Sequence, residues 1–229
     1  MGLLLAYLLF GQLLCIQAQN ILYLNKQIVD VLDRIARLKS MDPQTIQIEG
    51  SPYDHEEFIK GDIYYDVNWR YPGIPLRYNI FNDNMEIRPE GQDKVYAIDP
   101  DKRIRKITVQ EDTFVVAEYE LKRNLVPGYF KELTHGKVDL LAKPQVDFKE
   151  KEVDKGFVEP RPDRFVRMQD EYYIRKNGGT AEKLPGLKKL IEFIGDHQKE
   201  LEDYAKEKKI SGGNIEELIE FISYYNALE

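Results

Sequence analysis

The chain has 229 residues, with 33 basic and 40 acidic side chains, a formal net charge of −7, and one Cys, one Trp, three His, fifteen Tyr and ten Phe. A hydrophobic share of 42% excludes a disordered chain, a single Cys excludes a disulfide scaffold, and three scattered His argue against a His-rich metal site. The acidic balance argues against nucleic acid as the partner.

Gly2 to Ile16 contain no charged side chain. An apolar run of about 15 residues matches the core of a secretory signal peptide and falls short of the about 20 that a membrane span needs. Cleavage is expected after Ala18, which makes residues 1–18 a signal peptide and leaves the mature chain without Cys. Cys15 lies in the apolar core, and Gln12-Leu13-Leu14 before it fits a lipid attachment site poorly. The alternative is an uncleaved N-terminal membrane anchor, because Ile21, Leu22 and Leu24 extend the run and no Lys or Arg precedes it. Within residues 19–46, Leu24, Ile28, Val31, Leu32, Ile35 and Leu38 recur at helical spacing. They predict an amphipathic helix over 24–38 followed by a linker.

Residues 47–184 read as an antiparallel β domain. Ile63, Tyr65, Val67 and Trp69 share one parity and Tyr64, Asp66, Asn68 and Arg70 the other, as in a half-buried strand. Leu76, Tyr78 and Ile80 repeat the alternation, Asn82-Asp83-Asn84 supplies a turn, and Met85 and Ile87 resume it. Further strands are predicted over 94–98, 104–109, 113–121, 128–134 and 137–143, the last two joined at His135-Gly136. Residues 145–149 are read as continuing the second of these past Pro144. Residues 164–175 and 180–184 flank Asn177-Gly178-Gly179, a hairpin signal. Residues 150–163 are charged, hold two prolines and read as a surface loop. Turns recur without long helical patterns between strands, which favours an antiparallel sheet over βαβ units.

From residue 185 onward the period changes to helical. Leu187, Leu190, Ile191 and Ile194 form one stripe, ended by Gly195. Asp196 is read as the cap of a second helix that Ser211-Gly212-Gly213 breaks. Asn214 with Glu217 predicts a capping box for a third. Three short helices make a thin core, so residues 185–229 are expected to dock on the sheet. The predicted fold class is α+β: an antiparallel, strongly curled sheet with an N-terminal amphipathic helix and a C-terminal bundle of three short helices.

Several segments together resemble a family of exported bacterial proteins of unknown function. They are EGSPYDHEEF (49–58), the stretch 67–87 with PLRYNIFNDNMEI, GYFKELTHGKVDLL (128–141), DEYYIRKNGG (170–179) and YYNAL (224–228). The resemblance implies export and a β-rich body with a helical tail, and assigns no catalytic residue.

No motif names a reaction. His55, His135 and His197 lack metal-ligand spacing, and a calcium loop starting at Asn82 fails because Ile87 and Asp93 occupy its Gly and Glu positions. No Ser sits in a nucleophile elbow. Asp62, Asp66 and Glu86 are conceivable paired carboxylates of a glycosidase, but acids facing solvent on a sheet are commoner. The aromatics carry the best signal: Tyr64, Trp69, Tyr71 and Phe81 cluster with Arg70 and Arg77, mixing rigid apolar bodies with polar tips and cations. Tyr64 and Phe81 fall opposite the expected core rows. These six residues are the expected binding residues. No catalytic residue, cofactor or metal is expected. The leading reading is an exported, non-enzymatic envelope or secreted protein that binds or scaffolds a protein or glycan partner, touching membrane only through its N-terminal segment. A carrier of a small apolar ligand is the alternative, and a carboxylate-dependent hydrolase the third.

Overall fold

The computed structural model describes residues 40–41, 48–89, 91, 94–150 and 162–228. The expected signal peptide over 1–18, the helix over 24–38 and most of the loop over 150–163 lie outside the described residues. Alternating apolar and polar residues build most of the rest into strands. These are β1 (Ser40–Met41), β2 (Ile59–Tyr65), β3 (Trp69–Asn79), β4 (Asn84–Ile87), β5 (Val95–Ile98), β6 (Ile104–Val109), β7 (Asp112–Leu121), β8 (Asn124–Thr134), β9 (Val138–Lys143), β10 (Val146–Lys149), β11 (Arg164–Arg167), β12 (Glu171–Lys176) and β13 (Glu182–Lys183). Three helices follow: α1 (Leu187–Ile194), α2 (Gln198–Lys208) and α3 (Ile215–Ala227).

Eleven strands form one sheet in the order β1-β5-β4-β3-β2-β6-β7-β8-β9-β12-β13, and β10 pairs with β11 alone. The strand ladders are antiparallel. The α+β class and antiparallel pairing therefore hold, but the strong curl does not: the order is linear, and the sheet is not strongly curled. Closure needs edge strands that can pair with each other. Here β1 and β13, two residues each, are the edges and share no ladder. An isolated parallel bridge between Tyr119 and Ala181 and a bond from the Tyr129 hydroxyl to the Ile98 carbonyl tie distant parts of the sheet together.

Local chemistry redraws several boundaries. The alternation over 63–69 is two strands, because Asp66 takes φ 52° and its carboxylate accepts from the Val67 N–H, turning the chain between Tyr65 and Trp69. β8 begins at Asn124, earlier than expected: Lys122 and Arg123 form a two-residue turn with φ 49° and 69°, the geometry that matches strand twist. Residues 146–149 leave the main sheet after Pro144 to pair with β11. β11 and β12 are separate strands, split at Met168 to Asp170.

One apolar cluster gathers Ile63, Tyr71, Leu76, Met85, Ile107 and Phe114 from β2–β4, β6 and β7. A second unites Val138, Leu140 and Ile174 with Leu190, Ile194, Leu218, Phe221 and Ile222, so the helices dock on β9 and β12. A third places Phe130, Leu141 and Tyr173 under Tyr119. β9 is buried at every position, as a strand covered on both faces should be. Helix docking is fixed by Asn226, whose amide oxygen accepts from Val138 N–H and whose amide nitrogen donates to the Val138 carbonyl. Gly136 makes this approach possible, since a Cβ there would lie 2.4 Å from Asn226 Cγ. Gly195 ends α1 as expected, with φ 87° and its N–H on the Ile191 carbonyl. Asp196 does not cap α2: His197 occupies that position, and Asp196 accepts from the Tyr225 hydroxyl instead. Asn214 caps α3 through Glu216 and Glu217 N–H, but the box is not reciprocal, because the Glu217 carboxylate turns to Ser211.

Candidate functional site

β2 divides its side chains between two faces. Ile63 and Tyr65 are buried in the core, whereas Asp62 and Tyr64 are half-buried on the opposite side. Tyr64 pairs with Arg70 across β3 and with Lys106 across β6, so the three share one row. The Arg70 guanidinium lies 5.5 Å and the Lys106 ammonium 4.9 Å from the Tyr64 ring centre. Both are within cation–π range.

A bulge adds a second cation. One step on β2, Tyr64 to Tyr65, spans two on β6, Lys106 to Ile104, so Arg105 is the inserted residue. Bulges re-aim side chains. Arg105 and Lys106 are both exposed and both line a groove of about 450 Å³. Tyr64, Trp69 and Arg70 line it too, with Val115, Glu132, His135 and Arg175. Trp69 is 44% exposed.

The charges in the groove are unevenly balanced. Arg70 is held by Asp62 at 2.7 Å, Arg175 by Asp139 at 2.8 Å, and His135 lies 3.0 Å from Glu132. Burial pushes the Asp62 carboxyl up, but the Arg70 hydrogen bond, the Gly73 N–H and the Arg70 charge together hold it below its ordinary value. Among the described residues, Arg105 and Lys106 make no ion pair with a carboxylate. Among the described residues, the groove therefore offers two cations without a carboxylate partner, Arg105 and Lys106, the latter over the Tyr64 ring, beside the partly exposed Trp69.

Of the six expected binding residues, the fold brings Tyr64, Trp69 and Arg70 together and sends the others elsewhere. Tyr71 is 3% exposed and belongs to the core, with no ring surface to offer. Arg77 is sealed between the Tyr53 and Phe58 rings and bonds Glu86. Phe81 is exposed, as its parity predicts, but it packs with Phe148 and Phe165 where the two-stranded sheet meets the β3–β4 turn. The conceivable carboxylates are engaged separately: Asp62 by Arg70, Glu86 by Arg77 and Asn79, and Asp66 in its turn. Arg105, Lys106 and Arg175 were not expected. Two consecutive charges in Arg105-Lys106, inside an otherwise alternating strand, are the mark of a bulge and were the available signal.

Two triads could each bring three ligand atoms within 4.8 Å: Asp54, His55 and Asp112, and Glu132, His135 and Asp139. In the first, both carboxylates hold Lys131 at 2.8 Å; in the second, Asp139 holds Arg175. Protein cations thus already meet these acids. A further cavity of about 510 Å³ lies between α1 and α2, over Ile191 and Ala205.

Comparison with protein-family models, with curated proteins and with solved structures finds no match.

Proposed function

We propose that the protein is exported and acts without catalysis, as an envelope or secreted protein that binds or scaffolds a macromolecular partner through the groove on β2, β3 and β6. The observation that carries this reading is the pair Arg105 and Lys106, lacking carboxylate partners among the described residues, beside the partly exposed Tyr64 and Trp69. Rigid aromatics and cations are the residue types that concentrate binding energy. The uncharged stretch from Gly2 to Ile16 and the resemblance to exported proteins support the address.

The test is capture from envelope extracts on the immobilised full chain, wild type against Lys106→Glu. A partner retained by the wild type and lost by the variant is the expected result. Equal retention by both removes the groove as the binding surface. Intact mass of the protein recovered from the envelope fraction tests the address, and a mass that includes residues 1–18 overturns cleavage after Ala18.

A further inference from the structure

We infer that the groove takes an acidic oligosaccharide, a sugar ring lying against Tyr64 and Trp69 with its carboxylate held by Arg105 and Lys106. This rests on the reading above and names the chemistry of the partner.

The argument starts from what is already satisfied. Asp62 engages Arg70 and Asp139 engages Arg175, so these two cations have internal counter-charges. The bulge on β6 delivers two that, among the described residues, do not. An adjacent guanidinium and ammonium suit one carboxylate: the first supplies a planar fork of donors and the second a point charge. The aromatic component needs a ligand with a flat apolar face and a polar rim. A sugar ring has both, its C–H face against the aromatic and its hydroxyls toward the Glu132 and Asn68 side chains that also line the groove. At about 450 Å³ the groove holds a few rings rather than a folded domain.

Competing anions fit less well. Single-stranded nucleic acid also stacks on aromatics, but it carries a phosphate at every residue and depends on a continuous cationic track. Here the lining includes Asp66 and Glu132, and the chain carries −7 overall. A uronic sugar makes a smaller demand. An acidic peptide would gain affinity by adding a strand to a free edge. The groove offers none, because β2 is paired on both sides by β3 and β6.

The test is titration calorimetry of the full chain, as processed by the cells, with trigalacturonate, maltotriose, a ten-residue oligothymidylate and tetraglutamate. We expect trigalacturonate to bind, to weaken as salt rises, and to outcompete the other three. The double variant Arg105→Ala/Lys106→Ala should weaken binding by about tenfold, since each exposed charge contributes modestly. Both side chains are exposed, so its unfolding midpoint should match the wild type; Arg105→Lys, which keeps the charge but not the fork, should lose part of the affinity. Absence of trigalacturonate binding, equal binding by the double variant, or tighter binding of oligothymidylate or tetraglutamate overturns the inference. If trigalacturonate fails while envelope capture still depends on Lys106, only the acidic sugar is wrong. If nothing depends on the groove, both readings fall.

Discussion

The two ends of β3 use the same chemistry to opposite effect. At the Arg77 end, the guanidinium sits 3.5 Å from the Tyr53 ring centre and 4.4 Å from that of Phe58, and its Nε donates to Glu86 at 3.1 Å. Glu86 is 1% exposed and also accepts from Asn79. At the Arg70 end, another arginine meets another carboxylate, Asp62, beside another tyrosine, but the guanidinium is exposed. Arginine, acid and aromatic ring are thus a structural clamp when sealed and an accessible surface when open. Residue type does not separate the two; what covers them does.

The largest effect should come from opening the sealed end. Arg77→Ala leaves a buried Glu86 without its cation and should destabilise the fold by about 3–5 kcal/mol, read from urea unfolding. A loss below about 1 kcal/mol would mean that the clamp is wet.

Alkaline pH tests the buried tyrosines as a group. Burial pushes the Tyr119 hydroxyl from 10.0 up to about 12, and Tyr225, by burial and its bond to Asp196, to the same level. Burial raises Tyr78 and Tyr129 as well. An unfolded chain loses these protons from 10.0 upward while the folded one keeps them, so stability is held below pH 10 and lost as pH rises from 10 to 12. Lys143, lowered by burial, acts in the opposite sense, favouring the fold as pH rises toward 10.5. Four tyrosines outweigh one lysine, so urea midpoints should fall across this window. Flat midpoints would show these rings to be solvent-accessible.

At the open end, Arg70→Ala should shift the urea midpoint far less than Arg77→Ala does, because exposed ion pairs contribute little. That result, set against Arg77→Ala in the same denaturation series, is the sharpest form of the comparison. The smallest effect is expected at the β2–β3 tip, where Val67 is 75% exposed: Val67→Thr should stay within about 0.5 kcal/mol.

Periodicity found the strand-rich body, the three helices and the Asn214 cap, because these depend on local spacing and capping. It also placed Tyr64 away from the core row, and the structure agrees. It could not find the β7–β8 turn, since Lys122 and Arg123 adopt left-handed backbone that their side chains do not favour. It ran β2 and β3 together because Val67 continues the parity across a turn set by Asp66. It grouped Arg77 and Phe81 with Arg70 because closeness in sequence resembles closeness in space. In fact Arg77 lies under Tyr53 and Phe58, and Phe81 beside Phe165, partners supplied from distant parts of the chain. Arg175 reaches the groove only through the β9–β12 pairing, which no local pattern announces.

The sole tryptophan of the chain is Trp69, and it lines the groove, whereas seven of the tyrosines, Tyr71, Tyr78 and Tyr129 among them, are buried in the core. Light absorbed selectively by indole therefore reports from one place. Its emission maximum and its quenching by iodide give an optical readout of whatever enters the groove, without a label, on the native chain.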